Sequence, residues 1–342
     1  RSRGLGDVYK RQKLSSFLSS SGALLGTVIP GILIILMVVG YLVAGKPAQI
    51  SFSWGSLVPD LGNLNQLMLL SGMMVALSGM EMSAVHVTEM ANPGRQFPKA
   101  IFSACFLVIL LSVFGALAIA LVIPPNDISL AAGADQAFAK IFEIFHISWM
   151  TPIMCFLLAY GALTMVITWV LGPSKGVLEV AKEGYLPQYW QKRNAQGMPT
   201  RILILQASLS SVLATTVLFM PTISGAFWVM SALTAQLYMV MYLLMFAAAI
   251  RLRYTQPDKV RPYRIPGGRP GIWIVSGIAF LTALLAIVVG FIPTGGVRSD
   301  GDLADVGYVL FLFFGMVVFV GMPLVFYHIY EQKKKKMETA AK

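Results

Sequence analysis

Residues 202–250 read ILILQASLSSVLATTVLFMPTISGAFWVMSALTAQLYMVMYLLMFAAAI, forty-nine positions without one charged side chain. A helix rises about 1.5 Å per residue and a bilayer core is about 30 Å thick, so about 20 apolar residues cross it once. Forty-nine residues are too many for one crossing and suit two, with Pro221 at the turn. A soluble core helix has no need of such length, so this stretch makes the bilayer the solvent.

The same reading extends in both directions. Charge-free or nearly charge-free runs mark further spans at Ala23–Val43 (with Pro30 inside it), Leu67–Thr88 (interrupted by Glu81), Ala100–Ile123, Ile147–Ser174 (the helix continuing through Glu179), Gly271–Pro293 and Val306–Tyr327. With the two in 202–250, eight spans are predicted. Composition agrees: 57% of the 342 residues are hydrophobic and 12% charged, about half the charged share of a soluble protein. The 31 glycines and 18 prolines suit transmembrane helices that bend. The predicted fold class is therefore all-α, a polytopic helical membrane protein.

Orientation follows from the basic residues. Alternate loops carry Arg95 and Lys99, then 175–201, then 251–269, then the lysines of 333–342, eighteen Lys and Arg in all, against Lys46, Lys140 and Arg298 in the other set. The rich set is cytoplasmic by the positive-inside rule, which places both ends of the chain inside. The net charge of +11 is thus a membrane-topology signal, and no nucleic-acid partner is indicated. In the outer stretch Asn126–His146, the second half has apolar residues at helical spacing and reads as a short helix on the outer surface. Residues 331–342 read as a cytoplasmic basic tail at the membrane surface. Residues 1–12, RSRGLGDVYKRQ, contain the translation of GATGTGTATAAGAGACAG, a transposase end sequence of sequencing libraries, and are expected to be non-native, with 13–330 the membrane domain. The alternative is a cytoplasmic basic loop.

Several chemistries are absent from the sequence. Cys105 and Cys155 both sit in apolar runs and support neither a disulfide framework nor a metal site. His86, His146 and His328 are far apart and form no ligand motif, so no metal and no cofactor are expected. There is no phosphate-binding glycine loop, dinucleotide fingerprint or zinc-protease motif, and no residue set points to an enzyme.

The informative residue is Glu81, in Leu77–Ala84, LSGMEMSA. Fourteen residues of its span precede it, so it falls deep in the bilayer, where a carboxylate costs about 2.5–3.5 kcal/mol to insert. Ser78, Gly79 and Ser83 around it let a helix unwind, and an unwound stretch offers backbone groups to a polar solute. Ser78, Gly79, Met80, Glu81 and Met82 form a candidate substrate site. The competing reading is one glutamate bonded to a neighbouring helix. Tyr238 and Tyr242, four residues apart, share a helix face, either as the wall of a solute path or as ordinary packing. In Thr88–Ala100, TEMANPGRQFPKA, the residues Pro93, Gly94 and Pro98 predict a turn, and Glu89 with Arg95 and Lys99 sits at the cytoplasmic mouth as a gate or as a plain loop. Leu171–Gly176, LGPSKG, is a hinge or a simple bend.

Three runs carry a resemblance: GMEMSAVHVTEMANPGRQFPKA, WVLGPSKG followed by NAQGMP, and RPYRIPGG. They resemble the bacterial glutamate/γ-aminobutyrate antiporters of the amino acid–polyamine–organocation (APC) transporters. The resemblance implies a LeuT-like inverted-repeat fold of twelve helices, of which these eight spans match the fifth to the twelfth. The helices before them are expected to be missing from this chain by N-terminal truncation. It implies exchange of amino acids, an acidic one for a decarboxylated or related one, with protons as possible partners. The setting would be the bacterial inner membrane. Glu81 matches an acidic residue of the broken sixth helix, and Tyr238 and Tyr242 match path-lining tyrosines of the tenth. Where those antiporters carry an acid in the eighth helix, this chain has Met165, which makes that position a test of coupling and substrate choice. A permease for another amino acid or a polyamine, and a membrane scaffold that transports nothing, remain alternatives.

Overall fold

The computed structural model describes residues 17–50, 73–74, 76–124, 127–129, 132–194, 197–215, 218, 223–293 and 302–340. These are helical almost throughout: α1 (Phe17–Val43), α2 (Pro93–Val122), α3 (Gly133–Ile144), α4 (Thr151–Lys182), α5 (Thr200–Thr215), α6 (Ile223–Thr255), α7 (Gly268–Gly290) and α8 (Asp302–Ala340). Among the described residues six helices are long and apolar enough to cross a membrane. The protein is a multi-pass helical membrane protein. Of the eight predicted spans, six take this form, and α5 is a shorter apolar helix at the start of the 202–250 run. Of Leu67–Thr88, residues 67–72 and 75 lie outside the described residues, as do Pro221 and residues 1–12.

Helix limits depart from the predicted ones for local reasons. The predicted turn over 93–99 is helical, because α2 starts at Pro93. A proline in the first turn loses no hydrogen bond, since the first N–H groups have no intrahelical partner, and its fixed φ favours the helix. Asn92 O accepts from Gln96 N at 2.9 Å and caps the start. The LGPSKG run neither breaks nor ends α4, which continues through Pro173 to Lys182. Ser174 Oγ donates to Val170 O at 2.7 Å and to Gln206 Oε1 at 2.8 Å, within the turn where proline withholds its donor. At the C-terminal end, 331–340 continues α8 as helix, with an ion pair between Lys335 and Glu331 at 3.5 Å.

The chain divides into two compact units. The first comprises α1, most of α2, α3, α4 and most of α5. Its core joins Ile34 and Val38 of α1, Leu121 and Val122 of α2, Met154 of α4, and Ala137, Phe138, Ile141 and Phe142 of α3. The short helix predicted in 126–146 is therefore present as α3. Its apolar face is packed into protein, with Ile141 and Phe142 at 0% exposure. Along the α1–α4 seam, a Cβ at Gly161 would lie 2.7 Å from Gly26 Cα, and one at Gly26 or Gly22 would overlap Gly161 or Thr164. Small residues at these positions let two backbones touch, which is how transmembrane helices gain packing when lipid is as apolar as they are. Hydroxyls flank the contact: Ser21 pairs with Tyr160 at 2.7 Å and Ser19 with Thr168 at 2.9 Å. α1 forms a π-helical turn over Leu24–Val28, the turn that holds Gly26.

The second unit comprises the segment around Glu81, the start of α2, and α6, α7 and α8. Here α6 packs along α7 through Met239, Ala283 and Ala286, and against α8 through Val229, Leu233, Tyr308 and Leu312. Gln236, 1% exposed, ties α6 to α7 by donating Nε2–H to Ile287 O at 2.9 Å.

Candidate functional site

The site begins where a helix stops. Leu77 N donates to Met73 O at 3.1 Å, the last helical bond before the break. Ser78 and Gly79 are non-helical, and Gly79 has φ 104° and ψ −7°. That left-handed backbone is accessible to glycine and costs any residue with a Cβ. From Met80 to Glu89 the chain resumes as a 3-10 helix of ten residues, far longer than the three or four usual for that geometry. Ser83 Oγ donates to Met80 O at 2.6 Å. The side chain thereby competes for a carbonyl that an α-helix would use.

The break aims Glu81 back at its own start. Gly79 N–H donates to Glu81 Oε2 at 3.2 Å, and Tyr242 OH donates to the same oxygen at 2.8 Å. Gly79 N also lies 3.3 Å from Tyr242 Oη, so amide, phenol and carboxylate form one closed group. The other carboxylate oxygen, Glu81 Oε1, is buried and has no hydrogen-bond partner among the described residues. A buried carboxylate oxygen without a donor is costly, and a cationic or N–H-bearing group seated there would offset that cost.

α6 supplies the opposite side. Tyr238 and Tyr242 meet edge to face, centroids 6.0 Å apart at 73°, and Phe246 continues the row with its ring 5.8 Å from Tyr242. Both tyrosines pack on the α6–α7 cluster with Met74 of the segment before the break. The pair therefore packs on the α6–α7 cluster, while the Tyr242 hydroxyl reaches Glu81. Gln236, two residues before Tyr238, keeps its Oε1 buried and without a partner among the described residues.

The structure thus gathers Ser78, Gly79, Glu81, Tyr238 and Tyr242 of the predicted site residues. Met80 and Met82 lie on the 3-10 turn, half-buried, with Met82 N donating to Gly79 O at 3.2 Å. Glu89 is the last residue of that helix. Met165 belongs to the other unit, on α4, where it is 53% exposed. Phe246 was not predicted; its spacing of four from Tyr242 continues the same face and was the available signal. Among the described residues no group of three His, Cys, Asp or Glu is placed to hold a metal ion.

The chain was compared with known families and proteins. Residues 10–322 match the model of the amino acid permease family. An uncharacterized transporter of Legionella pneumophila is 37% identical over 92% of this chain and 67% of its own length. A glutamate/γ-aminobutyrate antiporter of Lactococcus lactis is 30% identical over 92% of this chain and 63% of its own. A probable agmatine/putrescine antiporter of the same species is 21% identical over 71% of this chain and 52% of its own. The chain spans about two thirds of the length of the first two. With a match that covers most of its residues, the chain belongs to the amino acid permease family of membrane transporters.

Proposed function

We propose that the protein exchanges amino acids across the membrane by alternating access, an acidic amino acid such as glutamate for a decarboxylated or related one. The observation that carries this reading is the Glu81 group: a carboxylate at a helix break, held on one oxygen by Gly79 N–H and Tyr242 OH, with its second oxygen buried and without a partner among the described residues. In this reading the ammonium of the substrate pairs with Glu81 Oε1. The backbone of Ser78–Met82 receives the remaining polar groups, and Tyr238 and Tyr242 line the path. The long 3-10 segment is the element that changes between inward and outward states. Glu89 and Met165 are assigned to the path and to coupling. The host is the bacterial inner membrane, with the basic loops on the cytoplasmic side.

A second reading is supported by Met165, which withholds an acid found in the glutamate antiporters, and by the polyamine-type relative: exchange of a cationic amino acid or a polyamine. Counterflow separates the two. Proteoliposomes loaded with unlabelled glutamate are given labelled glutamate outside, with glutamate, γ-aminobutyrate, arginine, agmatine or putrescine as competitors. The proposal expects trapped label, displaced by glutamate and γ-aminobutyrate. Absence of glutamate label, with label trapped when the same assay is run with arginine, agmatine or putrescine on both sides, supports the second reading. A non-transporting scaffold traps no label with any of them.

A further inference from the structure

The run RPYRIPGG, residues 261–268, takes no part in the site above, yet it closes a second one at the other end of α6. Arg253, Pro257, Arg261, Arg264, Gly268 and Arg269 line a solvent-open pocket of about 200 Å³. Four arginines line it, and no acidic residue does so among the described residues. Over 251–270 there are six basic residues and one acid, Asp258. Such a cluster repels itself and is stabilised by an anion.

The pocket is built rather than incidental. Arg261 is fixed by backbone carbonyls: its Nη2 donates to Leu252 O at 2.8 Å and Gln256 O at 2.9 Å, and its Nη1 to Lys259 O at 3.0 Å. That closes the last turn of α6 and turns the chain toward α7. The next two residues are seated on the start of α2. A Cβ at Gly94 would come within 2.7 Å of Pro262, and Tyr263 meets Phe102 edge to face at 6.3 Å. Arg253, Arg264 and Arg269 line the pocket beside Arg261.

Its depth tells what kind of anion comes. The apolar span of α6 ends at Thr255 and that of α7 begins at Gly268, so the pocket lies where two helices leave the hydrocarbon. Half-exposed aromatic rings mark the same level. Tyr254 (46% exposed) accepts from Trp273 Nε1 (53% exposed) at 2.8 Å, and the Arg269 guanidinium lies 5.4 Å from the Tyr254 ring centre. Tyr and Trp concentrate at the headgroup layer, and basic pockets between transmembrane helices at that layer suit phosphate-bearing lipids. Arginine forks match phosphate oxygens two at a time.

We propose that the RPYRIPGG pocket binds a phosphate group, that of an anionic membrane lipid held between the ends of α6 and α7. The test is native mass spectrometry of the full chain in detergent, with phosphatidylglycerol, phosphatidylethanolamine or inorganic phosphate added separately. Phosphatidylglycerol is retained by the wild type in preference to phosphatidylethanolamine, and R264Q/R269Q binds it roughly 30-fold more weakly. R264Q alone, at an exposed position, weakens it roughly fivefold and keeps the result readable if the double variant misfolds. Replacing the tail lysines (K333Q/K335Q/K336Q) leaves retention of one lipid intact. Equal retention of the two lipids, or undiminished retention in both pocket variants, overturns the proposal. So does loss in the tail variant with no loss in the pocket variants. Inorganic phosphate occupying the pocket in lipid-free protein and resisting displacement by phosphatidylglycerol overturns the lipid source.

Discussion

The α1–α4 seam and the Glu81 segment solve opposite problems with the same small residues. At the seam, Gly26 and Gly161 keep their helices continuous and remove side chains so that two backbones touch. At the break, Gly79 gives up the helix, and its freed N–H is turned onto a carboxylate. In the first case glycine strengthens packing between elements whose own hydrogen bonds are complete. In the second it creates unsatisfied backbone inside a membrane protein, which is tolerated only where protein or a polar solute can satisfy it. A glycine in an apolar span is therefore ambiguous until its neighbours are read. Ser78, Glu81 and Ser83 beside Gly79 supply polar partners and a charge, whereas Gly26 stands among Leu24, Leu25, Thr27 and Val28 with no charged neighbour.

Substitutions can break that contrast. The largest effect on stability is expected at the seam. Gly161→Ala puts a methyl 2.7 Å from Gly26 Cα, where the contact is backbone and cannot move aside. It should cost about 3 kcal/mol by unfolding in mixed detergent, with exchange per folded molecule little changed. Next is Gly79→Ala, which forces φ 104° on a residue with a Cβ, at a cost of about 1–2 kcal/mol. Here the contrast predicts that exchange falls by more than the melting temperature implies, because the strained backbone is the binding surface. If the two glycines respond alike in both assays, the distinction between seam and site fails. The smallest effect is Tyr242→Phe, which removes one donor to Glu81 Oε2 and leaves Gly79 N–H in place. About 1 kcal/mol, or roughly fivefold in exchange, is expected. An unchanged rate would reduce the tyrosine to packing against Phe246.

Much of this was legible in the sequence, and the limits have physical causes. The apolar runs located the spans because crossing a bilayer demands length and hydrophobicity, which are local properties. Ser78 and Gly79 beside Glu81 located the break for the same reason. Pro93 misled as to the start of α2, since a proline that ends one helix is equally suited to open another. α3 was readable as a helix from its apolar spacing, yet nothing local showed that Ile141 and Phe142 would be sealed inside protein. Pairing at a distance was the least legible. Gly26 with Gly161, Tyr242 with Glu81, and Pro262 with Gly94 join residues far apart in the chain, and no periodicity carries that information.

The central claim is that Glu81 serves the solute rather than the fold. The most direct measurement compares Glu81→Gln with the wild type in counterflow and in thermal unfolding, using the same detergent-purified preparations. The amide keeps the shape and can still accept from Tyr242 and Gly79, while the charge that is costly to bury is gone. The account predicts exchange reduced by roughly 10-fold or more, as for loss of a charged hydrogen bond, with the melting temperature equal or higher. Wild-type exchange with a lowered melting temperature would contradict it and make Glu81 a structural residue.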